Sequence, residues 1–442
     1  MDTIFIPDGI ISTAKLREAL AKISGECCLL YFADPQRVSI IPDGLKRLEG
    51  AVAAGAKMTY GDYEDIDSQG NDTPHPVTDY AEGSVRDDFN FGPVAVVSVA
   101  ALRDVTANMP GYDYAGWYAV RLALSTGCMP QHIKAIYSRL HAAEASDSEA
   151  AHFAYVNPRN RAVQLEMEMA FTSYLKAIGA WLPERPRLSQ SEIYAGDFPV
   201  EASVIIPVKN RVTTVTDAVR SALSQEAPFD FNVIVVDNHS TDGSTVLLRS
   251  MKSDRLVHII PDNDFHGIGG CWNLALAHPQ CGRFAVQLDS DDLYSSPDTL
   301  RRMVDCFRRE GCAMAVGSYT LVDRSLRPLP PGVIDHREWT DANGHNNLLR
   351  VNGLGAPRGF LTSIARRMPM PDVSYGEDYA MGLQLSRSYR IGRIFDVLYL
   401  CRRWEGNSDS KLTVEKANRY NDYKDSLRTA ELARRRKMNA DD

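Results

Sequence analysis

The 442-residue chain contains no paired Cys-x-x-Cys spacing among its eight cysteines, Cys27, Cys28, Cys128, Cys271, Cys281, Cys306, Cys312 and Cys401, which removes the usual thiolate zinc sites. Its first residues, Met-Asp-Thr-Ile-Phe-Ile-Pro, lack a basic segment followed by a long apolar one, so no secretion signal is visible and the thiols are expected to stay reduced. Nowhere is an apolar run long enough to cross a bilayer. Positive charge is not in excess: 49 Lys and Arg face 57 Asp and Glu, a net −8, which argues against nucleic acid as the main partner. No Gly-x-Gly-x-x-Gly follows the first strand of any strand–helix series, which weakens a dinucleotide-dependent oxidoreductase; Gly267-Ile268-Gly269-Gly270 comes only after a later strand. What is present, 44% hydrophobic and 24% charged residues, reads as a soluble globular chain too long for one ordinary core. The expected location is the cytoplasm, with the inner membrane face as a surface it can touch.

The stretch from Phe284 to Tyr294 organises the rest. Phe284–Leu288 is a short apolar run with one polar interruption, a buried strand, and it ends in three carboxylates, Asp289, Asp291 and Asp292. Leaving them buried and unpaired is costly, so the chain is expected to surface there. Asp289 and Asp291 are two apart at a strand end, where a bend brings alternate side chains towards one point. Two hard oxygen ligands beside open coordination positions suit Mg²⁺ or Mn²⁺, with room for substrate phosphates. A helix N-cap ahead of Pro297 and Asp298 is the alternative, but a cap uses one carboxylate and here there are three.

The chain also resembles itself. Cys28 to Asp34 is a strand ending in an Asp and followed by Pro42-Asp43-Gly44-Leu45; Leu288-Asp289 is followed by Pro297-Asp298-Thr299-Leu300, and both Asp34 to Asp289 and Pro42 to Pro297 are separations of 255. Tyr60 to Asp67 resembles Val316 to Asp323, and Tyr114 to Leu124 resembles the segment from Glu377 onward, with Tyr114-Ala115 opposite Glu377-Asp378. The first copy is chemically poorer: Asp34-Pro35-Gln36-Arg37 stands where the second has Asp289-Ser290-Asp291-Asp292. Too few residues precede Asp34 for a nucleotide-binding half. Four regions follow: 1–150, a partial and non-catalytic domain; 151–200, a connecting helix from Asn160 to Leu182 and a proline-rich linker; 201–410, strands and helices in alternation; and 411–442, a closing helix. The alternation of Ala202–Val208, Phe231–Val236, Leu256–Ile260 and Phe284–Leu288 with helices implies a mostly parallel sheet whose ligands bind beyond the strand carboxyl ends, where Lys209, Asp237 and Asp289 fall.

Four segments, Ser203 to Arg211, Val235 to Gly243, Gln287 to Asp292 and Gly376 to Tyr379, resemble glycosyltransferase family 2 in order and spacing. The resemblance implies the GT-A fold, a Rossmann-like mixed sheet flanked by helices, here preceded by a smaller degenerate GT-A-like α/β domain. It implies an inverting transfer from a UDP- or GDP-linked sugar to a glycan or lipid-linked hydroxyl, in surface polysaccharide or glycoconjugate synthesis. Pro207 and Asp237 would then border the nucleotide, Asp289 and Asp291 the ribose and a Mn²⁺ or Mg²⁺ ion, and Asp378 would be the general base with Glu377 beside it. Asn273, Arg402 and Arg403 would serve the donor phosphates, the last two through guanidinium pairing. Relatives carry an Arg-Asn pair where this chain has Trp272-Asn273, and a His where it has Trp404. Trp272 then stacks on a ring or fills the core.

Between Pro330 and Phe360 lies a Gly-, Pro- and Asn-rich stretch with His336, Trp339, His345, Asn346, Asn347 and Arg358. Its polar and aromatic mix suits sugar hydroxyls and ring faces, so Trp339 and Arg358, with Trp404, are the expected acceptor residues. In the closing helix Leu412, Ala417, Tyr420, Tyr423, Leu427 and Ala430 form an apolar stripe expected to dock on the protein; resting on an anionic membrane is the second reading. A catalytically silent nucleotide-sugar or glycan-binding scaffold is the rival from another class, and a pure binder has no use for Asp378.

Overall fold

The computed structural model describes residues 1–142, 161–262, 266–335, 337, 340–404 and 412–441. The first sheet takes its strands from β1 (Asp2–Phe5), β2 (Cys27–Tyr31), β3 (Val38–Ile40), β4 (Met58–Ile66), β5 (Asp72–His75), β6 (Val94–Ser98) and β7 (Gln131–His141). Its helices are α1 (Thr13–Lys22), α2 (Pro42–Ala53), α3 (Val99–Ala107) and α4 (Gly116–Ser125). Helix α5 (Arg161–Ala177) follows, and packs Met167, Phe171 and Leu175 into the core beside Tyr118 and Leu122 of α4.

The second sheet has nine strands: β8 (Ala202–Val208), β9 (Phe231–Asp237), β10 (Leu256–Ile259), β11 (Phe284–Gln287), β12 (Leu293–Tyr294), β13 (Met314–Val322), β14 (Pro328–Ile334), β15 (Arg358–Leu361) and β16 (Ile391–Arg402). It is flanked by α6 (Val215–Leu223), α7 (Ser244–Ser250), α8 (Ile268–Ala277), α9 (Thr299–Glu310), α10 (Glu377–Ser386) and α11 (Val414–Asp441). Strands β10, β9, β8 and β11 run parallel, and antiparallel β15 turns the sheet into its mixed half. Phe231 to Asp237 is buried at every position, as a strand covered by helices on both faces must be. This is a mixed α/β architecture, as expected, and it brings the ends of β8, β9 and β11 to one rim.

The self-resemblance of the sequence is a resemblance of topology. The first sheet is ordered β1-β2-β6-β4-β7-β3 with β5 beside β4; the second, beyond β10 and β9, is ordered β8-β11-β15-β13-β16-β12 with β14 beside β13. Strand directions match pair by pair, including the long parallel pairs β4–β7 and β13–β16, each with its register shifted midway. What the first copy lacks is the pair of strands β9 and β10 and the helices between them, the part that carries Asp237. One register differs from the sequence expectation: α4 starts at Gly116 and α10 at Glu377, and Tyr118 and Tyr379 each donate to a main-chain carbonyl of an upstream loop. Gly116 and Trp117, rather than Tyr114 and Ala115, are thus the counterparts of Glu377 and Asp378. Either pairing leaves the first copy without the carboxylates.

Helix α11 also corrects the sequence reading. Its buried face is charged, formed by Lys424, Asp425, Arg428, Glu431 and Arg435 with Leu432, while Ala430 is exposed and Tyr420, Tyr423 and Leu427 are half-buried. Each buried charge meets a partner, as buried charges must. Asp425 accepts from Ser84 and Arg428; Arg435 bonds Glu431, Asn346 and Ser386. Among the described residues no helix is long and apolar enough to cross a membrane.

Candidate active site

The acidic stretch that follows β11 is half-buried to buried rather than at open surface. Gln287, the last strand residue, donates its amide to both carboxylate oxygens of Asp289 at 2.9 Å and accepts from the Arg358 amide at 3.2 Å. The Asp289 amide donates to the Tyr399 hydroxyl at 3.0 Å. Asp292 is 5% exposed and accepts from the Arg402 amide at 2.7 Å. Asp291 faces Arg211, whose Nε is 3.5 Å from its Oδ2, and its carbonyl accepts from Arg402 Nε. Burial pushes the carboxyl of Asp292 well above the usual range, and the neighbouring Asp291 and Asp289 add to it. Burial raises Asp289 too, against the opposing pull of Arg358.

A cleft holding more carboxylate than its arginines offset is chemically suited to a hard divalent cation. Among the described residues no three His, Cys, Asp or Glu side chains form a complete metal cage, so such an ion would draw its remaining oxygens from elsewhere.

On the other side, Gly376 takes φ +78°, a left-handed conformation that glycine adopts without strain, and turns the chain into α10. Glu377 and Asp378 are the first two helical residues, where carboxylates favour the positive end of the helix. Asp378 Oδ2 lies 3.0 Å from Arg358 Nη1. Glu377 is 8% exposed, and among the described residues its Oε2 has no hydrogen-bond partner. Burial, with the adjacent Asp378 charge, raises its carboxyl to about 8. Burial works against the charge of Arg358, but Asp378, Asp289 and Glu377 outweigh it and hold the guanidinium charged. Arg358, expected at the acceptor, is therefore the cation between the two acidic segments, and it also donates to Gly355 O at 2.7 Å.

Asp237 at the end of β9 is fully buried. Burial alone would raise its carboxyl, yet hydrogen bonds from His258, Ser240 and Thr245 hold it far below the usual range. Pro207 lies one strand over, paired with Val236. Asn273 is placed differently from the expectation, and of the two readings of Trp272 the core one holds. The Asn273 amide donates to Met370 O at 2.8 Å and accepts from Met370 N at 2.9 Å, so both ends are committed to a loop rather than to a donor phosphate. Trp272 is in the core, its ring edge-on to Phe360 with centroids 5.6 Å apart.

Arg402 is 7% exposed and reaches Asp217 at 3.2 Å, so it ties α6 to the acidic stretch. The Arg403 amide donates to Val322 O at 2.7 Å, and Trp404 lies under the Arg324 guanidinium at 5.0 Å, both immediately after Arg402 at the end of β16. Trp339 and His336 lie outside the described residues. His345, Asn346 and Asn347 are buried and structural: His345 and Asn346 bond Leu182 O at 2.8 and 2.9 Å, which removes them from any acceptor surface. Gln287, Arg211 and Tyr399 were not candidates on sequence; Gln287 and Arg211, which each stand at an end of one of the four motif segments, carried a signal, and Tyr399 did not.

In the first copy, the corresponding recess is closed. Trp117 stands in the place of Asp378, packed on Phe32 at 5.3 Å and Phe91 at 6.5 Å, and Glu166 from α5 accepts from the amides of Asp113, Tyr114 and Ala115.

Comparison with known proteins places residues 203–354 under the model described as glycosyl transferase family 2. A putative teichuronic acid biosynthesis glycosyltransferase, TuaG of Bacillus subtilis, is 33% identical over 128 residues, covering 29% of this chain and 50% of its own. An uncharacterized glycosyltransferase of Rickettsia conorii, RC0461, is 33% identical over 194 residues, covering 43% of this chain and 31% of its own. The chain thus spans half or less of the length of these curated relatives. Among solved structures, S. aureus TarS 1–349 in complex with UDP-GlcNAc aligns with a TM-score of 0.40 at 19% identity, over 53% of this chain and 72% of that one. The mannosyltransferase PcManGT of Pyrobaculum calidifontis, in complex with GDP-Man and Mn²⁺, aligns with a TM-score of 0.37 at 18% identity, over 64% and 84%.

Proposed function

For a chain that carries a family 2 glycosyltransferase domain at residues 203–354, we propose metal-dependent, inverting transfer of a sugar from a nucleoside diphosphate to a glycan or lipid-linked hydroxyl. The observation that carries this reading is the guanidinium of Arg358, which pairs with the carboxylate of Asp378 at 3.0 Å and also lies in the field of Asp289. Two acidic segments far apart in sequence meet at one cleft on the rim where an α/β sheet binds ligands.

In this mechanism Asp378 accepts the proton of the acceptor hydroxyl as that oxygen forms its bond to the anomeric carbon and the bond to the donor phosphate breaks. Attack opposite the leaving group inverts the centre. Glu377, protonated at neutral pH, offers a hydrogen bond to a sugar oxygen. Asp291, with Asp289, would hold Mn²⁺ or Mg²⁺, which when bound neutralises charge building on the leaving diphosphate. Arg211 adds fixed positive charge beside Asp291, and Arg402 holds the acidic stretch in place. Asp237 shapes the nucleotide end by ordering the loop from Asn238 to Thr245. Residues 201–410 form the catalytic domain, 1–150 a partial copy that braces it, 151–200 the connector and 411–442 the closing helix. The setting is polysaccharide or glycoconjugate synthesis at the cytoplasmic face of a membrane.

Turnover of UDP- and GDP-sugars with Mn²⁺, in the native chain and in Asp291→Ala, tests the proposal. Loss of turnover by about a hundredfold or more with an unchanged melting temperature is expected. Unchanged turnover in the variant removes the metal role, and a native chain that binds these sugars but never turns them over favours the silent scaffold.

A further inference from the structure

The reaction above makes no use of α11, yet this helix lies along the segment that delivers Glu377 and Asp378. Tyr420 stacks on Tyr375 with centroids 3.7 Å apart and planes 9° from parallel. One turn on, the Tyr423 ring sits 3.2 Å from where a side chain at Gly376 would begin. Lys424 Nζ donates to the Tyr375 hydroxyl at 3.0 Å and to Asn352 O at 2.5 Å, with the ring centroids of Tyr375 and Tyr379 4.4 and 5.4 Å away. A further turn brings Arg428 Nε to the Tyr379 hydroxyl at 2.8 Å. Positions 420, 423, 424 and 428 share one helical face. What they grip, Tyr375, Gly376 and Tyr379, brackets the two carboxylates.

The chemistry of this grip exceeds what docking a helix requires. An apolar residue at 424 would pack between two tyrosine rings at no electrostatic cost, whereas a buried ammonium is expensive without opposite charge nearby. Burial lowers Lys424 to about 8, and Asp378 is the largest influence in the other direction. The charged groups around it are Asp378 and Glu377 of α10, Arg428 of its own helix and Asp88 from the first copy; Arg358 approaches Asp378 from β15.

We propose that α11 is a positioning element of the transferase site and that Lys424 is its positioning residue, fixing Tyr375–Tyr379 so that Asp378 keeps its place beside Arg358. The inference rests on the transferase reading, so its test has one readout that needs no turnover. In the full chain, Lys424→Met, Lys424→Arg and Tyr420→Leu are compared by amide hydrogen exchange across residues 373–381 and by the pH profiles of kcat and donor KM. Lys424→Met is expected to speed exchange in that segment, to lower kcat about tenfold with donor KM nearly unchanged, and to move the acid limb of kcat upward by about half a pH unit, since a cation beside the base is gone. Lys424→Arg restores most of kcat. Tyr420→Leu removes no charge, speeds the same exchange and leaves the pH profile in place, and it decides the matter if Lys424→Met fails to fold. Unchanged exchange in a folded variant overturns the inference, as does an unchanged pH profile in active Lys424→Met. A native chain with no turnover on any nucleotide sugar overturns the transferase reading instead, and exchange alone then decides the clamp.

Discussion

Nη1 of Arg358 lies 3.0 Å from Oδ2 of Asp378, and the same guanidinium is under the influence of Asp289. Removing one partner of a buried ionic cluster costs more than the pair contributes, because the remaining charges are stranded. Arg358→Met should therefore destabilise the chain by about 3 kcal/mol, read as a lowered urea midpoint. Mn²⁺ should restore more stability to this variant than to the native chain, because a cation that binds the folded form offsets the stranded carboxylates. Equal Mn²⁺ responses in the two proteins would place the ion away from Asp289.

Asp378→Asn keeps the shape and one hydrogen-bonding oxygen but cannot take a proton. Donor binding measured by calorimetry should stay within about twofold, and transfer should fall by roughly a hundredfold to ten-thousandfold. Full transfer by this variant would discard the base assignment.

Stability should pass through a minimum near pH 8. The folded chain holds the Glu377 proton to about 8 against an ordinary value of 4.5, so between those values the unfolded chain binds fewer protons and stability falls as pH rises. Lys424 is lowered from 10.5 to about 8, so above pH 8 the folded chain releases its proton first and stability rises again. Each limb is worth on the order of 2–4 kcal/mol. Glu377→Gln should flatten the first limb and Lys424→Met the second, in urea melts at pH 5, 8 and 10.

The aromatic filling of the first copy predicts a clean separation of stability from activity. Trp117→Ala empties a site packed by Phe32 and Phe91 and should cost about 3–5 kcal/mol, while kcat of the folded fraction stays within about twofold. A larger loss of kcat would mean that the first copy takes part in turnover.

The features legible in sequence were local ones. A strand that ends in Asp289, Asp291 and Asp292, and a Gly376 that opens a helix with two carboxylates, announce themselves through neighbours in the chain. The role of Arg358 did not, because it follows from the antiparallel pairing of β15 with β11 and Gln287, a register no local pattern specifies. The stripe assigned to α11 captured only the half-buried part of its docked face, for a related reason. An apolar pattern predicts the buried face only when the neighbours are apolar, and here they are Ser84, Arg86, Asn352 and Tyr379, recruited from segments 49 to 341 residues away. Asn273 was misread because its partner, the backbone of Met370, is invisible to any motif.

Helix α11 comes later in the chain than everything it fastens, from Gly83 and Ser84 to Asn439's hold on Gly179 and Trp181. Synthesis runs from the N-terminus, so both sheets can collapse on the ribosome while Tyr375 and Tyr379 still lack their grip. A nascent chain released short of Arg428 would lack the bond to the Tyr379 hydroxyl, so on the transferase reading proposed above, competence for transfer waits until α11 has been made.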